Sequence, residues 1–254
     1  MPVSKVIFVL FAILFAYCEC YAIGSKKCGI GEDECLKDLF HKIIQESAES
    51  GIPAMDIPPF DPFEIDNLEI PIMGLIKISI PKGTAKGLKS CDITVFHQDT
   101  ENNITTVELI CKILSVDAKC NIETTPILDA LIGGIKIHGE GNGGIKIENF
   151  KINAEIPFDL KKLDDGKLHV VIDPDEVTYT YEVLGKMSVS LDNLYIGSQE
   201  VSAVAVNIIN EHWQFFAKTV GKTVFTTVFE LIFKCINKFF NAVPLSDLMK
   251  GDIS

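Results

Sequence analysis

The sequence predicts an α+β fold: a long C-terminal helix wrapped by a strongly curved antiparallel β-sheet, an elongated rod with an internal apolar tunnel. Two patterns and one length argument predict it. From about Leu68 to Leu194, short alternating runs are separated by turn residues, the pattern of antiparallel meanders rather than βαβ crossovers. Between Val201 and Val243 there is no proline, and Pro244 ends the stretch. Some 40 helical residues rise roughly 60 Å, whereas a compact domain of about 230 residues is only about 45 Å across. Either the helix breaks, at Gly221, or the protein is a rod. A rod of this kind has a long apolar interior, suited to a lipid chain.

Met1 to Ala22 reads as a secretory signal peptide. Lys5 supplies the positive start, Val6 to Tyr17 is an apolar run of 12, and Cys20 and Ala22 are small residues at the cleavage positions. A membrane span needs about 18–20 apolar residues, so this run is too short to anchor the chain. The other long apolar stretch, Val224 to Phe240, carries Glu230, Lys234 and Asn237 and reads as a buried helix. Residues 23–254 then form a single secreted domain.

Helical spacing of Leu36, Leu39, Phe40, Ile43 and Ile44 predicts a first helix, opened by the acidic Glu32, Asp33 and Glu34 and stopped at Ser50-Gly51-Ile52-Pro53. The segment from Gly51 to Phe63 holds four prolines. Proline lacks a donor, so this segment is expected to run extended outside any sheet, as a strap pinned across the core by Ile52, Met55, Ile57, Phe60 and Phe63. Strands are expected at residues 76–80, 92–96, 106–113, 135–138, 145–152, 168–172, 178–183 and 186–191. Turns are expected at Asn102-Asn103, Gly139 to Gly144, Asp165-Gly166, Asp173-Pro174 and Gly185, and a short helix at Pro126 to Leu131. Ser198 is the expected N-cap of the last helix. Its apolar stripe is read as Val201, Val204, Ile208, Phe215, Val220, Val224, Val228, Leu231, Cys235 and Phe239.

Composition narrows the function. With 47% hydrophobic and 23% charged residues the chain is not intrinsically disordered. The formal net charge is −12, and all 23 basic residues are Lys. A chain without Arg lacks the best phosphate and guanine ligand, and its net charge repels polyanions. Nucleic acid is excluded as a partner, and an anionic membrane surface is disfavoured.

Removal of Met1–Ala22 leaves six cysteines, Cys28, Cys35, Cys91, Cys111, Cys120 and Cys235. An even number in an exported chain favours disulfides. No C-x-x-C pair exists and no His lies at ligand spacing, so no metal site is expected. Cys28 and Cys35 flank the start of the first helix. A hairpin centred on Glu101 places Cys91 opposite Cys111, within disulfide reach. Cys120 and Cys235 are paired by elimination. Asn103-Ile104-Thr105 is a glycosylation sequon.

The order of several motifs resembles the insect takeout and juvenile-hormone-binding protein family across the mature chain. They are the Cys28 and Cys35 pair, Gly51-Ile52-Pro53 followed by Ile57-Pro58-Pro59 and Asp61-Pro62, and the glycine-rich stretch Gly139 to Gly144. Asn207 through Glu211-His212-Trp213 and the terminal Val243-Pro244-Leu245-Ser246-Asp247-Leu248 complete the set. The resemblance implies secreted carriers of small hydrophobic molecules, built as a long helix wrapped by a curved sheet around an apolar tunnel. The other four cysteines go beyond the pair this family shares.

Gly139-x-Gly141-x-x-Gly144 matches the dinucleotide fingerprint in form, but a strand-like run follows it where a helix is required, so it reads as a hairpin turn. No nucleophile elbow or zincin helix is present, and the five histidines are scattered. An enzyme is not expected, and no cofactor. His138 weighs as a pocket polar group against a plain surface histidine. The expected ligand-binding residues are Ile209, Trp213, Phe216, Val220 and Val224 on the last helix. The expected partner is a small lipophile (juvenile hormone or other terpenoid, fatty acid, quinone or carotenoid), held by a monomer without stable membrane anchoring. The alternative is a secreted interaction or effector protein with a vestigial tunnel.

Overall fold

A computed structural model describes residues 27–251. The signal peptide at Met1–Ala22 lies outside the described residues. Helix α1 spans Asp33–Ser47 and buries Leu36 and Leu39. It ends as expected: Gly51 takes φ +65° and its N–H reaches the Ser47 carbonyl at 2.7 Å.

The proline-rich segment corrects the expectation of an extended strap. Ile52 and Ile57 exchange both backbone hydrogen bonds across a 3-10 turn at Pro53–Met55, so the chain doubles back on itself. Proline suits the first position of such a turn, where its missing N–H has no partner to lose. Both isoleucines are buried against α1 and the C-terminal residues Phe239, Val243 and Leu248.

Strand β1 (Phe63–Ile72) starts earlier than the sequence pattern showed. Its Pro71 argues against a central strand, and β1 is indeed an edge strand, paired only with β2 (Ile76–Lys86). Next come β3 (Cys91–Asp99), β4 (Ile104–Thr124), the short helix α2 (Pro126–Leu131) and β5 (Ile137–Pro157). β4 and β5 are each 21 residues long and pair antiparallel from Ile104↔Pro157 to Glu123↔His138. At about 3.3 Å per residue they would span roughly 70 Å if straight. They form the spine of a nine-stranded antiparallel sheet that does not close. β2 and β3 flank β4; β8 (Thr178–Val183), β9 (Met187–Leu191) and β10 (Leu194–Ile196) flank β5. A two-residue β11 (Gln199–Glu200) pairs with β10. β6 (Asp159–Lys162) and β7 (Leu168–Val171) make a separate hairpin.

The glycine-rich stretch is therefore not a turn but the first third of β5. Its glycines answer a close approach. The corner between β9 and β10 crosses over the strand, so a Cβ on Gly141 would sit 2.6 Å from the Asp192 carbonyl oxygen, and one on Gly139 2.8 Å from that of Asn193. Only glycine admits backbone that near.

The last helix is present but in three pieces: α3 (Ser202–Glu211), α4 (Trp213–Thr219) and α5 (Gly221–Ala242), followed by a short α6 (Leu245–Leu248). Ser198 does not cap it. Ser202 opens α3, its N–H on the Glu200 carboxylate and its hydroxyl accepting from Leu194 N–H. The second break has a visible cause. The Tyr181 hydroxyl donates to the Ala217 carbonyl at 2.9 Å, taking the acceptor that Gly221 N–H would use in a continuous helix. Gly221 leaves room for it, since a Cβ there would lie 2.8 Å from the phenol oxygen. The breaks shift the buried face, so the expected stripe fails at Val204, Ile208, Phe215 and Val228, all exposed.

Cys28–Cys35 and Cys91–Cys111 are bonded, the latter directly opposed in the β3–β4 register as expected. Cys120 and Cys235 are free and belong to different apolar clusters, which overturns their pairing by elimination.

Candidate functional site

Strand alternation gives the sheet one apolar face, and the helices lie on it. On β4 that face carries Leu114, Val116, Ala118 and Cys120; on β5 it carries Ile145 and Ile147. Asn149 then takes φ +51° and both strands change phase, so that Cys111 and Phe150 become the inward pair. The matched shift keeps both long strands apolar on the same side along their length.

The five expected ligand residues all lie in the α3–α5 region and all are half-buried. Trp213 and Phe216 pack on the central cluster around Cys111, Phe150, Met187 and Ala217. Val224 packs with Ile65, Ile70 and Ile80 of β1 and β2, beside the small Ala85, Ala118 and Cys120. Val220 is the hinge between α4 and α5, and Ile209 lies near the end of α3.

The sequence reading missed the aromatic lining. Phe225 stacks on Phe150 at 4.7 Å and lies 4.4 Å from Tyr181, while Phe229 lies 4.2 Å from Tyr179. A signal for it was present, since Phe225, Phe229 and Phe233 recur at four-residue spacing, one residue out of step with the stripe chosen.

Polar groups near this face are satisfied within the protein. Asn210 donates to the Val189 carbonyl at 2.9 Å and accepts from Val189 N–H at 2.7 Å. Tyr181 is committed to Ala217, and Tyr179 bonds Thr226 at 3.0 Å. Burial, helped by the nearby Asp192 carboxylate, pushes the Cys120 thiol up, and burial does the same to Cys235. A thiol held protonated is a poor nucleophile, and these two behave as apolar packing groups. The buried polar or charged residues among those described are Ser47, His169 and Ser202; no Lys, Asp or Glu is buried.

The histidines are dispersed. His97 bonds Asp33 at 2.8 Å, and His138 is an exposed residue stacked on Tyr195 with Nε2 3.1 Å from the Gly197 carbonyl. His169 is 2% exposed, its Nδ1 3.0 Å from the Phe240 carbonyl and its Nε2 3.0 Å from Asp165. Among the described residues no group of three or more His, Cys, Asp or Glu side chains is placed to hold a metal ion, and no helix is long and apolar enough to cross a membrane. Asn103 is exposed in the β3–β4 turn with φ +54°, at the edge of a cleft of about 520 Å³ that Asp159, Lys161, Asp173 and Glu176 also line.

The sequence matches the haemolymph juvenile hormone binding protein family over residues 7–250. The fold is similar to the crystal structure of Takeout 1 from Epiphyas postvittana, with a TM-score of 0.74 at 22% identity, covering 89% of this chain and 99% of that one. Comparison with curated protein sequences found no match.

Proposed function

The chain belongs to the haemolymph juvenile hormone binding protein family, and from that premise we propose that it is a secreted carrier of a small lipophile, held between the apolar sheet face and helices α3–α5. One observation carries the reading. The side chains on this interior are apolar, yet Trp213, Phe216, Val220, Val224 and Phe225 keep part of their surface accessible. A solid core closes such residues off at crystal-like density, whereas a carrier leaves them surface to offer a ligand.

The charge pattern refines the ligand class. A carboxylate drawn into this interior would meet no buried Lys, and the buried His169 is already engaged by Asp165 and the Phe240 carbonyl; an unpaired buried charge is strongly disfavoured. The reading therefore favours uncharged lipophiles, such as a terpenoid ester, a quinone or a carotenoid, over a fatty-acid anion. Export, cleavage after Ala22 and a glycan on Asn103 belong to the same proposal; the two disulfides support an oxidising compartment.

The test is extraction of protein purified from a secreting host, with mass spectrometry of the extract and displacement of a fluorescent terpenoid probe. A bound lipophile and saturable displacement are expected. Native protein that carries nothing and takes up no probe would sink the proposal.

A further inference from the structure

One end of the rod carries apolar side chains that the fold leaves uncovered. The β1–β2 turn and the β4–α2–β5 connection meet there: Thr125 donates its N–H to the Leu75 carbonyl and its hydroxyl to that of Gly74, both at 2.9 Å. The β10 end joins them, with Gly197 N–H on the Lys136 carbonyl at 2.9 Å and Ile196 opposite Ile137. On these three segments Met73, Ile127, Leu131, Ile135 and Ile196 stand 44% to 72% exposed. Helix α2 is divided: Leu128 and Ile132 are half-buried, while Ile127 and Leu131, four residues apart, face out.

Charge avoids this tip. Ile70 to Ile76 and Leu194 to Ser198 contain no Lys, His, Asp or Glu. Thr124 to Ile135 contains only Asp129, whose carboxylate accepts the Thr124 hydroxyl. The nearest flanking charges are of both signs: Lys77 paired with Glu69 at 2.6 Å, then Glu123 and Lys136. In a chain of net charge −12 the tip carries one formal charge, on Asp129, and the four flanking charges cancel.

We propose that this tip docks the protein transiently on a lipid surface of uncharged headgroups. Five side chains offer a few hundred Å², well short of the about 800 Å² per partner in a standard protein interface, so the patch is too small for a stable dimer. It is also a set of protruding loop ends rather than a groove. Gly74, Gly133 and Gly134 take positive φ with open space where a Cβ would point, so nothing covers these loops on that side. Apolar tips of this kind enter the headgroup–acyl boundary without stripping water from a charge. An anionic leaflet would repel the acidic body, which selects a neutral surface. Ile70, Ile72, Ile78 and Ile80 lie behind the tip in the apolar cluster that includes Val224, so lipid at the tip would adjoin the carrier interior. That exchange role rests on the carrier reading; the docking does not.

Flotation of the secreted protein with phosphatidylcholine vesicles tests it. Binding that is insensitive to salt is expected, weakening at low ionic strength when phosphatidylserine replaces about a third of the lipid. The double variant Ile127→Asp/Leu131→Asp should bind at least about tenfold more weakly, with the melting temperature and probe affinity of the parent, since both positions are exposed. Parent protein that stays in solution, a double variant that floats equally well, or tip-dependent dimerisation in sedimentation would each overturn the docking. Probe binding without vesicle binding removes the docking alone, and vesicle binding without probe binding removes the carrier reading alone.

Discussion

Val224→Trp separates a ligand space from a solid core. Val224 is half-buried on α5, facing Ile65, Ile70 and Ile80 beside the small Ala85, Ala118 and Cys120. Tryptophan adds about 100 Å² of apolar surface there, worth about 2.5 kcal/mol at 25 cal/mol per Å². Crowding costs about 1–3 kcal/mol, so the two nearly cancel. The ligand-free variant should melt within about 4 °C of the parent, since about 1 kcal/mol moves a domain of this size by 2–4 °C. A lipophile at 100 times its Kd stabilises the parent by about 2.7 kcal/mol, or roughly 5–10 °C. The variant should lose that increment because the indole fills the space. Differential scanning fluorimetry with and without a terpenoid probe reads both quantities. A well-folded variant with the parent's ligand-induced shift would show that the ligand does not pass Val224. A large loss of stability, with no ligand shift even in the parent, would show that the space is a solid core.

Three further outcomes follow from particular contacts. Both ring nitrogens of His169 face acceptors, so only the doubly protonated ring satisfies them; burial opposes that charge, but the Phe240 carbonyl and Asp165 outweigh it and hold the pKa above 6.5. Its stabilisation is then full below about pH 6.5 and lost as pH rises through the raised value, so the melting-temperature gap between parent and His169→Gln should narrow from pH 6 to pH 9; a constant gap would refute the charged ring. Gly141→Ala places a Cβ against the Asp192 backbone and should cost about 1–3 kcal/mol, whereas Gly143→Ala meets only the Cys120 sulfur at 2.9 Å and should cost less in chemical denaturation; the reverse order would mean the β9–β10 corner is misplaced. Non-reducing peptide mapping should find Cys120 and Cys235 alkylated and Cys28, Cys35, Cys91 and Cys111 protected; a Cys120–Cys235 peptide would contradict the separation of their clusters.

What the sequence showed well is local. The stop at Gly51, the α2 segment and the Cys91–Cys111 opposition each follow from a turn residue or a hairpin count within a few tens of residues. What it hid depends on partners far along the chain. The glycines of β5 look like a turn until the Asp192–Asn193 corner, about fifty residues later, is seen to cross them. β1 was obscured by Pro71, which is tolerable only because no strand pairs on its outer side.

The helix breaks carry the same lesson into the site itself. At about 100° per residue, Phe216 and Phe225 are nine residues apart and would point to opposite faces of an unbroken helix. In the structure both pack on the cluster that holds Phe150. The interruption at Val220 makes this possible, and Tyr181, from a strand about forty residues upstream, holds it open by taking the Ala217 carbonyl. A periodicity count along one helix could identify which residues are apolar but not their phase, because that phase is set by a tyrosine on the sheet. The aromatic lining is thus a joint product of sheet and helix: α4 supplies Trp213 and Phe216, α5 supplies Phe225 and Phe229, and the hinge between them turns both pairs toward the same strands.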